Sequence, residues 1–432
     1  MSIRIRERRA GPRRSAAQSL TDRQERIEGW RQDRIAAGRA LLVGAGALGN
    51  EVAKNLALMG LGYMFVVDFD RVEHSNLSRA VLFRRSDARK GRPKAELVAR
   101  RAQAMNVAEL PVARSFQGDV VWELGAGVFR RVDVVIGCLD NIEARMAINL
   151  QCFNTGAPLI DGGILGLAGS VIAVRPPETA CWECSTGENE RNHAADRYHS
   201  CSNVMLRELQ SGRLPSVQVA STIIAGFQTQ EAVKIIQGKP WAAGSMIMYD
   251  ASGARPDLDV VRLSRRPSCW CQQAPPPEAI CELPLAAARN TLAELLAALR
   301  TAGVADPHVY LPSGFGVMMH CAVCGHERSI MRPSFRLDTS IHACDACPTK
   351  GLSVHLRAVT TSDPAETAQL SDGAAVYQQM LRLTLAELGF ASLALVRYTD
   401  GPPQQRIGRL AELTADAEDV MGGLAFTDVR QR

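Results

Sequence analysis

Three glycines, Gly44, Gly46 and Gly49, end the apolar run 40–43 and open a segment with helical period. That spacing suits phosphate: the first glycine permits a tight turn, the second lets backbone approach an oxyanion, and the third lets helix pack on strand. The N-terminus of the following helix adds free N–H groups that attract an anion. Asp68 closes the next apolar run, 63–67, 24 residues after Gly44, where a carboxylate takes ribose hydroxyls. Alone, this pattern signifies a nucleotide and leaves ATP and NAD both open.

Further polar residues gather on the same part of the chain. Asp70 follows Asp68, and residues 71–94 show no clear period but contain Asn76-Leu77-Ser78-Arg79 and Gly91-Arg92-Pro93-Lys94. An irregular connection of this length within an α/β unit tends to be functional. It brings an amide and at least two cations within reach of whatever sits on Gly46. A short apolar run, 132–137, ends in Cys138-Leu139-Asp140-Asn141. In open α/β sheets ligands bind outside the carboxyl ends of the strands, so three strand ends, at Gly44, Asp68 and Asp140, converge on one crevice.

Twelve cysteines without a signal peptide point to thiolates and metal rather than disulfides. Cys321-x-x-Cys324 and Cys344-x-x-Cys347, separated by nineteen residues, have the spacing of a zinc ribbon with a closed four-sulfur site. Cys181-x-x-Cys184 and Cys269-x-Cys271 make a second candidate zinc set, with unpaired buried thiols as the alternative. Cys201 belongs to neither set and follows a polar stretch holding His193, Arg197 and His199. Cations there would favour a reactive thiolate; an inert packing cysteine is the competing reading.

These residues need scaffolding. A charged helix is expected over residues 21–35, carrying Arg23. Helices follow at 47–59, 94–105, 142–153 and 217–237. Strands are expected at 40–43, 63–67, 132–137, 158–161, 170–175, 245–249 and 258–263. Alternating strands and helices over 40–175 define a doubly wound, mostly parallel Rossmann-like α/β sheet. A proline-rich stretch, 272–278, reads as a linker to a smaller C-terminal α+β region. That region has helices at 291–301 and 370–388, strands at 308–317 and 392–398, and the zinc ribbon over 318–350. The expected domains are a disordered Arg-rich tail, 1–20, a nucleotide-binding domain, 21–275, with a crossover loop at 185–216, and a C-terminal domain, 276–432.

The chain of 432 residues carries a formal charge of +5. Residues 1–14 alone hold six arginines and one acid, so the rest is neutral, which argues against specific nucleic-acid binding. The tail reads as solvated, with RNA, an anionic surface or an acidic partner as alternatives. No run approaches 18 apolar residues, and a soluble cytoplasmic protein without a membrane span is expected.

Taken together, the motifs resemble the ThiF/MoeB/ubiquitin-activating superfamily of adenylyltransferases over about residues 22–271. The resemblance rests on Gly44-Ala45-Gly46-Ala47-Leu48-Gly49, Asp68-Phe69-Asp70, Asn76-Leu77-Ser78-Arg79, Pro93-Lys94, Leu139-Asp140-Asn141, Cys181-x-x-Cys184 and the 228–234 helix segment, all in the family's order. It implies ATP and Mg2+ as cofactors and a ubiquitin-like β-grasp carrier whose terminal glycine is adenylated. By resemblance Asp68 holds ribose, Asn76, Arg79 and Lys94 neutralise the triphosphate, and Asp140 holds Mg2+. Arg23 would cross a homodimer interface into the partner's site, and Cys201 would take the carrier as a thioester before a conjugating protein. The connection from Arg79 to Lys94 is about two residues longer than usual, and the Cys269-x-Cys271 knuckle is tighter. A zinc ribbon stands where some relatives have a rhodanese domain. The layout is closest to activating enzymes of bacterial ubiquitin-like conjugation operons, including antiphage ones. Sulfur-carrier adenylation, an NAD-dependent oxidoreductase and a catalytically silent zinc-ribbon scaffold are the alternatives.

Overall fold

The computed structural model describes residues 19–186, 217–269, 271, 280–402 and 408–422. Apolar runs of five or so residues become strands because each is buried on both faces. Arg39–Val43 (β1) and Tyr63–Val67 (β2) contain no exposed residue. Val112–Phe116 (β3), Val134–Gly137 (β4) and Leu159–Leu165 (β5) complete a parallel set in the order β3-β2-β1-β4-β5. The sheet then turns antiparallel through Ala168–Val174 (β6), Ser245–Asp250 (β7) and Asp257–Arg262 (β8), for eight strands in all. Only its first five strands are therefore parallel.

Helices Ala47–Leu58, Lys94–Met105 and Gln218–Gln237 cover one face, packing Val52, Leu56, Val98 and Ile224 on β1, β2 and β5. Helices Gly127–Arg130 and Ile142–Thr155 cover the other. With β1, β2 and β4 buried on both faces, the residues that follow these strands are their accessible part.

Two expectations are corrected. The single helix over 21–35 is two short ones, Asp22–Glu25 and Gln32–Ala37, because Gly29 adopts a left-handed φ of 70° between them. The 370–388 helix is confined to Gly373–Arg382. There the Thr384 N–H and hydroxyl donate to the Glu387 carboxylate, and Thr384 bridges to Thr291 instead of extending the helix. Residues 71–94 are also more regular than their sequence shows, with a 3-10 turn at His74–Ser78 and a helix at Arg85–Lys90.

A second sheet has six strands: Cys281–Leu283 (β9), Pro307–Cys321 (β10), Glu327–Pro333 (β11), Val354–Thr361 (β12), Leu395–Asp400 (β13) and Arg409–Leu413 (β14). The amphipathic helix Leu292–Thr301, capped by Thr291 and Glu294, buries Leu292, Leu295, Leu296 and Leu299 against it. This region is not a detached module. Leu393 and Met421, both fully buried, belong to the same core as Phe65, Val128 and Phe129 of the first sheet's layer. Trp122 stacks on Phe335 with ring centroids 5.0 Å apart. Glu412, fully buried on β14, pairs with Arg130 and Arg131, and Arg130 also reaches Glu282 at 3.4 Å. The expected boundary at 275/276 lies outside the described residues.

Candidate nucleotide site and cysteine centres

The glycine turn is built by steric exclusion. Gly44 sits at φ 98°, and a Cβ there would lie 2.3 Å from the carbonyl oxygen of Cys138, while one on Gly49 would lie 2.0 Å from the carbonyl oxygen of Gly44. A Cβ on Gly46 would meet nothing within 4 Å, so its backbone faces open space, as an approaching phosphate requires. The turn is held from below by Asn50, fully buried. Its amide donates to the carbonyls of Ala45 and Gly46, each at 2.8 Å, and its oxygen accepts from the Leu82 N–H at 3.0 Å. Asn50 thus ties the turn to the 71–94 connection, a role its position inside an apolar helical run concealed.

Asp68 leaves β2 and accepts from the N–H groups of Ala45 at 2.6 Å and Asp70 at 2.7 Å. Burial pushes its carboxyl up to about 6, against the pull of the Lys94 cation and those two N–H groups. Lys94, itself buried, pairs with Asp70 at 2.7 Å. The reach of Lys94 across the long connection is therefore sufficient to bring it to the end of β2.

The raised carboxyl of Asp68 has a pH consequence. On the expectation that Asp68 holds ribose, the ionised carboxylate is the form that would accept the hydroxyl. We expect adenosine, which has no titrating phosphate, to bind progressively more weakly as pH falls from 7.5 through about 6. Titration calorimetry of wild type and Asp68→Asn over that range checks this; the variant's affinity should be weak and flat. For folding the sign is opposite. A carboxyl raised from 3.8 to about 6 favours the folded state in its protonated form, and that contribution is lost as pH rises through 6.

Asn76 and Arg79 are half-buried on and just after the 3-10 turn. The Asn76 oxygen accepts from the Glu73 N–H at 2.9 Å, and one Arg79 nitrogen donates to the Ser75 carbonyl at 3.0 Å. Their remaining donors, the Asn76 amide and the rest of the guanidinium, are the groups available to phosphate oxygens. Asp140 is exposed at the end of β4, with no side-chain ion pair among the described residues. Asn141 is a helix cap, its oxygen accepting from the Ala144 N–H at 2.8 Å at the start of Ile142–Thr155.

Sequence reasoning missed Arg145. One turn into that helix, it pairs with fully buried Asp161 and donates to the carbonyls of Leu139 at 2.5 Å and Gly162 at 2.9 Å. It thereby locks the ends of β4 and β5 together beside Asp140. Its place four residues after the cap Asn141, on the strand-facing side, was the available signal. A cavity of about 700 Å3 runs from Asp140 and Arg145 past Gly163 and Trp182 to Met248 and Asp250. Arg23 is exposed on its short helix. Cys201, with His193, Arg197 and His199, lies outside the described residues.

Both cysteine sets come together. Sulfurs about 2.3 Å from one tetrahedral zinc stand about 3.8 Å apart. Cys321 and Cys347 are 3.8 Å apart and Cys324 and Cys344 3.6 Å; Cys181 lies 3.8 Å from Cys184 and 3.4 Å from Cys269. The donor sets therefore fit zinc. In the ribbon the Cys324 N–H holds the Cys321 thiol down to about 6, which favours a thiolate. At the other centre Asn149 donates to the Cys271 sulfur at 3.1 Å and accepts from the Trp182 N–H at 3.2 Å. One further group stands beside the expected four-sulfur set. The carboxylate of buried Glu183 also lies within 4.8 Å of the sulfurs of Cys181, Cys269 and Cys271, and Cys184, 3.8 Å from Cys181, accepts from the Arg266 N–H at 3.4 Å.

The geometry defines a doubly wound nucleotide-binding domain with an acid-and-cation crevice at its strand ends. The ThiF family profile matches residues 18–271, and the chain belongs to that family. It is 36% identical over 153 residues to SUMO-activating enzyme subunit 2 of Dictyostelium discoideum, an alignment spanning 35% of this chain and 22% of that protein. It is 28% identical over 249 residues to the sulfur carrier protein ThiS adenylyltransferase of Escherichia coli strain K12, spanning 57% of this chain and 91% of the relative. With the molybdopterin-synthase adenylyltransferase of Salmonella typhimurium it shares 30% over 246 residues, 55% of this chain and 88% of the other. Among the described residues no helix is long and apolar enough to cross a membrane.

Proposed function

We propose that the chain is an ATP-dependent adenylyltransferase that activates the C-terminal glycine of a ubiquitin-like carrier, takes it as a thioester on Cys201 and passes it to a conjugating partner. The observation that carries the reading is the crevice, where the Gly44–Gly49 turn, Asp68, the Lys94–Asp70 pair and the Asp140–Arg145 corner occupy adjoining carboxyl ends of one sheet. Asp68 orients the ribose, while Asn76, Arg79 and Lys94 spread positive charge along the triphosphate. Asp140 would hold Mg2+, which supplies charge neutralisation at the reacting phosphates. The carrier's carboxylate oxygen bonds to the α-phosphorus as the bond to the bridging oxygen breaks, and pyrophosphate leaves. No general base is required, since the carboxylate is already ionised; catalysis is positioning and charge neutralisation. The Cys201 thiolate then attacks the acyl carbon and AMP departs. Arg23 fits the reading as a cation offered across a homodimer, and both cysteine centres as structural zinc sites.

Alignment with nearly the full length of a sulfur-carrier adenylyltransferase favours a second reading, in which the same acyl adenylate is consumed by a sulfur donor. The appended cysteine ribbon supports a place in a bacterial ubiquitin-like conjugation system, including antiphage ones. Carrier-dependent ATP–pyrophosphate exchange tests the shared step: absence of exchange with every ubiquitin-like and sulfur-carrier protein encoded nearby overturns both. Cys201→Ala should retain exchange and lose a thiol-sensitive carrier adduct on non-reducing gels. An adduct that survives assigns the thioester to another cysteine.

A further inference from the structure

A second cavity, about 910 Å3, opens between the 3-10 turn His74–Ser78 and the helix Arg85–Lys90. Its charged lining is entirely basic: Arg84, Arg85 and Arg89, with His74 beside them. All three arginines are exposed, and none forms an ion pair with another described residue. Leu77 and buried Phe83 give the cavity an apolar floor. The wall is rigid, because buried Asp87 accepts from the Arg84 N–H at 2.8 Å and pairs with Arg101 at 2.6 Å.

This cavity is separate from the nucleotide crevice. A 3-10 turn has three residues per turn, so its side chains form three rows. Asn76, on that turn, and Arg79, which follows it in a non-helical conformation, do not line the basic cavity, whereas His74, Leu77 and Ser78 do. Unpaired guanidiniums above an apolar floor suit carboxylates flanking a hydrophobic side chain, since guanidinium takes carboxylate in a bidentate fork. Single-stranded nucleic acid fits less well. It calls for a long basic track and a succession of rings for stacking, and Phe83 is the single ring, other than His74, in the cavity's lining.

We propose that this cavity docks an acidic peptide segment of a partner protein, with an apolar side chain of that segment seated on Leu77 and Phe83. The proposal goes beyond the adenylation reading and stands or falls without it. The test is fluorescence anisotropy of the full chain with a short fluorescein-labelled peptide of alternating Glu and Leu. Wild type should bind, more weakly at high salt. The triple variant Arg84→Ala/Arg85→Ala/Arg89→Ala should bind about tenfold more weakly. Adenosine affinity, read by calorimetry, should be unchanged in the same variant, which also shows that it is folded. Replacing Leu by Ser in the peptide should weaken binding to wild type and not to the variant. Peptide affinity unaffected by the triple change, or lost instead on Arg13→Ala/Arg14→Ala in the N-terminal tail, overturns the proposal. So does tighter binding of oligo(dT) than of the peptide, or equal loss of adenosine binding in the triple variant.

Discussion

Asp140→Ala should lower carrier-dependent ATP–pyrophosphate exchange by roughly 10²- to 10³-fold, the range seen when one preorganised charge-stabilising group is removed from an active site. The expectation of a large catalytic effect without a structural one comes from its setting. Asp140 is exposed, one residue before the cap of the helix Ile142–Thr155, and Asn141, not Asp140, makes the capping bond. Arg145 continues to hold Leu139 and Gly162 whether or not Asp140 keeps its carboxylate. Thermal unfolding and adenosine affinity should therefore match wild type, with the loss confined to the rate of exchange. Exchange unaffected by the substitution would remove Asp140 from the reaction.

Glu412→Ala should destabilise the protein by about 3–5 kcal/mol, the scale for breaking a buried ion pair on one side. Glu412 is fully buried and serves two guanidiniums, Arg130 and Arg131, which are themselves buried. Truncation removes the buried carboxylate from both guanidiniums, and neither the Gly127 carbonyl 2.8 Å from Arg131 nor exposed Glu282 3.4 Å from Arg130 is equal to it. The loss should appear as a lower urea midpoint. A triple replacement of Arg130, Arg131 and Glu412 by Met or Leu should recover much of it, because the charges and their counter-charge leave together. A midpoint unchanged by Glu412→Ala would mean the triad contributes no net stability.

The nucleotide half was legible because its signals are local. Strand runs such as 40–43 and 63–67 are apolar throughout, and Gly44, Gly46 and Gly49 announce the turn between strand and helix. The placement of Asp68 and Asp140 at strand ends followed from the parallel topology. What escaped notice was polar and buried. Asn50 and Arg145 lie within amphipathic helical patterns where a polar residue ordinarily means solvent, and only the folded chain shows that each turns inward to backbone carbonyls. Gly29 broke an expected helix for a reason visible only in its backbone angle. The union of the two sheets was equally hidden, since Arg130 and Glu412 stand 282 positions apart and nothing in either neighbourhood specifies the other.

That union bears on how such a chain is inherited. Regions joined by a linker can be shuffled between genes as cassettes, each folding in a new context. Here removal of the C-terminal region would withdraw Leu393 and Met421 from the layer under β2 and leave Arg130 and Arg131 without their shared acid. Tyr63, at the start of β2 in the nucleotide sheet, would lose its bond to the Met421 carbonyl. The two regions of this chain are therefore one cooperative unit, in which the Arg130-Arg131 pair of the nucleotide domain depends on a counter-charge supplied from the ribbon-bearing region.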